Sequence, residues 1–189
     1  ESIDISDPNT PTFVDSLILP NSDPYNLAVS GNYAYIADIG SDDIKIIDIS
    51  DPTNLNFIGS LDLGMEDFPS SVEAAGNYLY IVGTDLYELI IADVSDPLNP
   101  IIVSTTFIDD GLEALTLSGN YVYVVGGNIK TVDISDPLNP IITDSLDFSG
   151  SSDEVVVSDN YAYVNVFPSD VLLVIDVSSP TQAILKSSI

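Results

Sequence analysis

Thirty carboxylates against three amines make the acids the residues from which any chemistry of this chain must come. The set of most interest sits in loops ahead of a recurring short strand: Asp23, then Glu66 and Asp67, then Asp109 and Asp110, then Asp153 and Glu154, with Glu73 and Glu113 on or beside the strands themselves. The loops differ in sequence but share a sign. Gathered on one rim, their oxygens would suit a hard cation such as Ca²⁺, which takes roughly six to eight oxygen ligands, or a polyhydroxylated or cationic ligand. A solvated acidic rim is the plainer alternative in a chain that is acidic throughout. Two carboxylates across a sugar bond are enough for glycoside hydrolysis, but with thirty acids such pairs arise by chance, and the expectation is no enzyme.

Other chemistries are excluded by composition. The chain has no His and no Cys, which removes imidazole triads, His-ligated zinc, thiolate nucleophiles and any disulfide framework. Gly126-Gly127 lacks the lysine and the following helix that a phosphate cradle uses. Lys45, Lys130 and Lys186 are scattered, the first two at equivalent repeat positions, which speaks for structure rather than a Schiff base. A net charge of −27, with a pI near 4.1, makes nucleic acid an unsuitable partner and disfavours an anionic membrane surface. Solubility, adaptation to high salt and calcium-dependent surface chemistry each account for such a surface. An apolar content of 45% in 189 residues is enough for one filled domain, no apolar run approaches the roughly 18 residues of a spanning helix, and the start at Glu1 fits a processed or trimmed chain.

The elements that must position these acids are repeats. Asp4–Pro8 reads DISDP, Asp48–Pro52 DISDP, Asp93–Pro97 DVSDP, Asp133–Pro137 DISDP and Asp176–Pro180 DVSSP, at intervals of 44, 45, 40 and 43 residues. Upstream of the last four stand GNYAY (Gly31–Tyr35), GNYLY (Gly76–Tyr80), GNYVY (Gly119–Tyr123) and DNYAY (Asp159–Tyr163). Gly-Asn between alternating apolar runs predicts a tight hairpin in which both residues can take positive φ. One unit then reads as four strands, Asn26–Ser30, Tyr33–Ala37, Ile44–Ile49 and Leu55–Leu63, and three more units follow the same pattern, with no helical periodicity. Four short antiparallel strands at this period predict an all-β fold, a β-propeller of four complete four-stranded blades (23–63, 70–107, 111–148 and 153–189) plus a two-strand partial blade over 1–19. The partial blade is either a two-stranded stub or, since its edges invite pairing, is completed by a neighbouring molecule or by further sequence outside these 189 residues. The paired tyrosines, two apart on a strand, point to one face and are expected to pack between blades, and the Asp-x-Ser-Asp-Pro segments to act as capped turns.

The alternation of these two landmarks resembles the LVIVD-repeat family of bacterial and archaeal surface-associated β-propellers, with Ile46–Ile49, Ile90–Val94, Thr131–Ile134 and Leu173–Val177 at the name-giving strand. The resemblance implies a scaffold without a shared active site and a secreted or cell-surface setting. The expected role is a non-catalytic structural or interaction module for assembly or adhesion, with protein partners or self-association through the unpaired strands and with no nucleic acid and no membrane insertion. The alternatives are a propeller that binds Ca²⁺ or carbohydrate at an acidic channel mouth and, third, a glycan-active enzyme. No cofactor beyond Ca²⁺ is expected.

Overall fold

The structure, a computed structural model, describes residues 1–64, 68–84, 87–108 and 111–189. Among them are eighteen strands and no helix. A lone hairpin comes first, β1 (Ser2–Asp4) with β2 (Thr12–Asp15). Blade 1 is β3 (Pro24–Ser30), β4 (Tyr33–Asp38), β5 (Asp43–Asp48) and β6 (Asn56–Asp62). Blade 2 is β7 (Pro69–Ala75), β8 (Tyr78–Gly83), β9 (Glu88–Asp93) and β10 (Ile101–Phe107). Blade 3 is β11 (Ala114–Ser118), β12 (Tyr121–Val125), β13 (Asn128–Asp133) and β14 (Ile141–Asp147). Blade 4 is β15 (Val155–Ser158), β16 (Tyr161–Val166), β17 (Val171–Asp176) and β18 (Ile184–Ser188). Each four-stranded sheet is ordered as the chain runs, so every blade is a meander. The all-β architecture read from the repeats is the observed one.

Local chemistry explains why each meander forms. Gly31, Gly76, Gly119 and Asp159 open the first hairpin turns at φ of 57°, 59°, 60° and 54°. Positive φ is confined to this first turn residue. The asparagine after it lies outside the left-handed region, so the turns fit the type II′ pattern rather than the mirror-image turn with two positive φ values. The asparagine carbonyls have a second task. Asn32, Asn77, Asn120 and Asn160 accept from the amides of Ile49, Val94, Ile134 and Val177 at 2.8–2.9 Å, tying the end of the third strand back to the first hairpin.

Immediately beyond, the Asp-x-Ser-Asp-Pro turns are built from carboxylates accepting amides two residues on. Asp48 takes Ser50 N–H at 2.9 Å, Asp93 takes Ser95 N–H at 2.7 Å, Asp133 takes Ser135 N–H at 2.8 Å and Asp51 takes Thr53 N–H at 2.9 Å. Such Asx turns orient the chain into the outermost strand.

Blades are joined face to face by three apolar clusters. Tyr35, Ile44 and Ile46 of blade 1 meet Val72, Leu79 and Ile81 of blade 2. Tyr80 and Ile91 meet Leu115, Val122 and Val124 in the next joint. Tyr123 and Ile129 meet Val155, Ala162 and Ile175 in the last. The first three tyrosine pairs are thus inter-blade packing, with Tyr35, Tyr80 and Tyr123 only 2–3% exposed, whereas Tyr161 and Tyr163 of blade 4 are exposed and belong to none of the three clusters.

The lone hairpin occupies the outer half of a blade position. Its Asp15 carboxylate accepts Leu55 N–H at 2.9 Å, as the Asp144 carboxylate accepts Ala183 N–H between blades 3 and 4. Its Ser2 hydroxyl donates to Pro52 O at 2.6 Å, as Thr143 donates to Pro180 O at 2.6 Å. The half-blade therefore leans on blade 1 as a whole blade leans on the next.

The turns carry a pH signature. In Asp4, Asp48, Asp93, Asp133 and Asp176 the hydrogen bonds from the serine two residues on hold the carboxyl below its usual 3.8, down to about 2 at Asp176, where Lys186 adds its charge. A depressed native pKa contributes stability that is present above 3.8 and lost as pH falls through the native value. Thermal unfolding followed by circular dichroism should therefore show Tm falling between about pH 4 and pH 2, and less steeply so in Asp176→Asn.

Candidate binding site in the channel

The first strands of the blades, β3, β7, β11 and β15, touch one another in succession. Together they line a cavity of about 680 Å³. A strand in this place presents alternate side chains to the blades on either side, so its polar groups must be met by the neighbouring strand. Asn26 Oδ1 accepts Val72 N–H at 3.0 Å, Ser71 Oγ accepts Leu115 N–H at 3.3 Å and Ser70 Oγ donates to Glu113 O at 2.7 Å. These bonds stitch three blades together around the channel. Within blade 3 the ends of β11 and β12 come so close that a Cβ on Gly126 would lie 1.8 Å from Gly111 O, and the contact with blade 4 is made by Gly126 O, which accepts Ser152 N–H at 2.8 Å.

The acids singled out by the sequence divide into three groups. Glu73, Glu113, Asp153 and Glu154 line the cavity. Asp23 does not: its backbone N–H donates to Asp38 Oδ1 at 2.7 Å and its O accepts Ile39 N–H at 3.1 Å, which pins the loop and leaves the residue exposed to solvent. Glu66, Asp67, Asp109 and Asp110 lie outside the described residues. Among the described residues no three acids stand close enough together to hold a metal ion.

Two environments separate the channel acids. Asp153 accepts Asn165 Nδ2–H at 2.6 Å while Asn165 Oδ1 accepts Glu154 N–H at 3.1 Å, an exposed mouth held by one amide side chain. Glu73 stands deeper, half-buried on β7, and burial pushes its carboxyl above the ordinary 4.5. The polar lining that surrounds the acids, Asn26, Ser70, Ser71, Thr116 and Asn165, was not singled out from the sequence. One signal was available: Asn165 stands where the other repeats have the apolar Ala37, Val82 and Val125. The site as a whole offers hydroxyl, amide and carboxylate oxygens around an open space, a set able to bind hydroxyl-rich or cationic groups.

Comparison with known proteins gives the fold a context. The LVIVD repeat matches residues 23–62, 69–106, 113–147 and 149–189. No curated protein matches the sequence. Among solved structures, the periplasmic gluconolactonase of Pseudomonas aeruginosa is similar with a TM-score of 0.76 at 16% identity, over 89% of this chain and 54% of that one. A functionally unknown protein from Desulfotomaculum acetoxidans gives 0.78 at 13% identity, over 91% and 58%. The computationally designed Ika4 protein gives 0.69 at 18% identity, over 88% and 99%. The chain thus spans about half the length of the two natural proteins.

The buried position of Glu73 has a measurable sign. A carboxyl whose native pKa is raised opposes folding above that pKa, and the penalty vanishes below 4.5 where both states are protonated. Glu73→Gln should therefore raise Tm at pH 7 and leave it unchanged at about pH 4, read by differential scanning calorimetry at both values.

Proposed function

The chain belongs to the LVIVD-repeat family, and from that premise we propose that it is a non-catalytic assembly module that joins further blades, its own copies included, through the two end faces of its array. One observation carries the reading. Tyr163 of blade 4 is 37% exposed, whereas the equivalent Tyr35, Tyr80 and Tyr123 are buried at 2–3%, and Tyr161 is 39% exposed where the equivalent Tyr33, Tyr78 and Tyr121 are partly buried against the next blade. The same face of blade 4 exposes Val156 and Leu172. By repeat equivalence this is the surface that every earlier blade covers with a neighbour, and an apolar patch so built marks an interaction site.

The other end is complementary in kind. Leu27 and Val29 of blade 1 are each 57% exposed, while Val72, Leu115 and Val155 at the first of these positions in later blades are 2–4% exposed. A face of one kind at each end allows head-to-tail association, a heterologous contact that closes or extends according to its rotation. Neither end face sets a histidine or a cysteine against a carboxylate, and the absence of both residues from the chain removes most hydrolytic machinery.

A second reading is favoured by the 680 Å³ channel cavity with Glu73, Glu113, Asp153 and Glu154 in its lining: a pocket for Ca²⁺ or a carbohydrate. A ligand that binds only the folded state raises Tm with its concentration. Titration with CaCl₂ and with a panel of oligosaccharides should produce such a rise for one of the two, and a flat response to both removes the channel reading.

For assembly, sedimentation velocity should show self-association that strengthens from about 0.02 M to about 0.5 M NaCl, because salt screens the repulsion between chains of charge −27 while leaving apolar contact intact. Tyr163→Asp should abolish association with little change in Tm, since that side chain is exposed and lies outside the three inter-blade clusters. A protein that remains monomeric at every salt concentration and at millimolar protein would end the reading.

A further inference from the structure

We propose that the cleft between blades 1 and 2, on the side where the Gly-Asn turns lie, is a binding site for a neutral carbohydrate. The cleft has a volume of about 380 Å³, within the roughly 300–1,000 Å³ of small-molecule sites. It opens at the far end of the first strands from Glu113, Asp153 and Glu154 and shares no lining residue with the channel, so it is a second place and not an extension of the first. Both walls belong to a joint closed within the chain, blade 1 packed against blade 2.

The lining is polar without being charged. Ser30, Asn32 and Tyr33 come from blade 1, and Asn77 and Ser95 from blade 2. The acids that flank this lining in sequence are occupied in their own turns: Asp93 accepts Ser95 N–H at 2.7 Å, and Asp96 accepts Leu98 N–H at 3.1 Å and Asn99 Nδ2–H at 2.8 Å. The channel, by contrast, has four carboxylates in its wall. A cation entering the cleft would find no carboxylate in the lining to pair with, and an anion would meet the field of a chain of charge −27. An uncharged, hydroxyl-rich ligand is opposed by neither.

The groups present match such a ligand one by one. A carboxamide offers two donors and an acceptor, and a hydroxyl offers both kinds of bond, which is what a row of sugar hydroxyls requires. Asn32 and Asn77 are exposed, and their duty in the turns falls on the backbone carbonyls, which accept Ile49 N–H and Val94 N–H at 2.8 Å and leave both carboxamides for a ligand. Half-buried Tyr33 and partly buried Pro97 supply the apolar surface that the C–H face of a sugar ring needs. The same carbonyl bonds hold the walls in place before anything binds, so little order is lost on binding. The concave shape and modest volume suit a small saccharide rather than the broad face of another protein.

The test uses the full chain, isotope-labelled for NMR, and a panel of short neutral oligosaccharides of glucose, mannose, xylose, galactose and N-acetylglucosamine, with oligogalacturonate as the charged control. At least one neutral sugar should shift the side-chain amides of Asn32 and Asn77 and the backbone amides of Gly31 and Gly76 in a saturable way, while oligogalacturonate leaves them in place. Its affinity should change by less than about twofold between about 0.02 M and about 0.5 M NaCl, because no charge takes part. The double variant Asn32→Ala and Asn77→Ala should bind at least about tenfold more weakly with an unchanged circular dichroism spectrum, whereas Glu73→Gln should bind as the parent does. A panel that shifts none of these amides, or binding that survives the double substitution, overturns the proposal. Shifts confined to Asn26, Thr116 and Asn165 overturn it as well, by placing the sugar in the channel, so the two sites are decided separately.

Discussion

The contact between the broad faces of neighbouring blades is the interaction on which everything else in this molecule depends. A meander of four short strands with apolar residues on both faces cannot stand alone in water. Each joint buries a tyrosine and several Ile, Leu or Val side chains, of order 1.5–3 kcal/mol apiece when fully covered, whereas the turns contribute orientation. Blades 2 and 3 have both faces covered, as the exposure of Ile81 and Ile91 on the two faces of blade 2, and of Val124 and Val125 on the two faces of blade 3, at 0–1% shows. Blades 1 and 4 have one full joint each. Stability in such an array is a sum over neighbours, so blades 1 and 4 draw less from this contact than blades 2 and 3.

The extent to which this was legible in the sequence follows from the same physics. A scaffold made by one repeated contact must repeat the residues that make it, so the Tyr-x-Tyr pairs and the Asp-x-Ser-Asp-Pro turns announced the blades, their faces and the absence of helix. The turn geometry was less legible, because Gly-Asn is compatible with either primed turn and only the asparagine backbone decides between them. The candidate site was half legible. The signs of Glu73, Glu113, Asp153 and Glu154 led to the channel, but Asp23 is drawn aside because its backbone serves the buried carboxylate of Asp38, an interaction between residues fifteen apart that no local pattern marks. Ser70 and Ser71 were passed over because a serine at the start of a strand is ordinary until the neighbouring strand that needs its hydroxyl is in place.

Asp38 shows how this chain spends a buried charge. Burial alone would raise its pKa, but hydrogen bonds from Ser22, from the amides of Asp23 and Gly40, and from Ser41 outweigh it, and the carboxyl stays below its usual value. Lys45 adds an ion pair at 3.9 Å and a closer one to Asp43 at 2.8 Å. Blade 1 thus fixes the loop over residues 21–23 and the turn over 39–41 with one carboxylate, and the entry of β3 into the channel is set by that loop. Glu73 lies in the opposite regime: burial raises its pKa, and no other cause is resolved. A residue whose position opposes folding at neutral pH stands out in a scaffold where other acids are placed to favour it, and its direction into the channel is consistent with a role in binding.

The distribution of charge bears on how so acidic a chain can associate at all. Two bodies of charge −27 repel at long range. The acids of the Asp-x-Ser-Asp-Pro turns, however, sit where each third strand ends, at the edges of the blades, and the patches exposed at the two ends of the array are formed by Leu27 and Val29 and by Val156, Tyr161, Tyr163 and Leu172. Repulsion between such edges is screened within about 10 Å at 0.1 M salt, whereas the contact of two uncharged faces is not weakened by salt. The negative surface therefore discourages side-on and random encounters, while an end-on approach brings together the faces with least charge. On the proposed assembly reading the acidic composition and the apolar end faces are complementary features: the first opposes contact between blade edges, and the second favours association along the direction in which blades already stack.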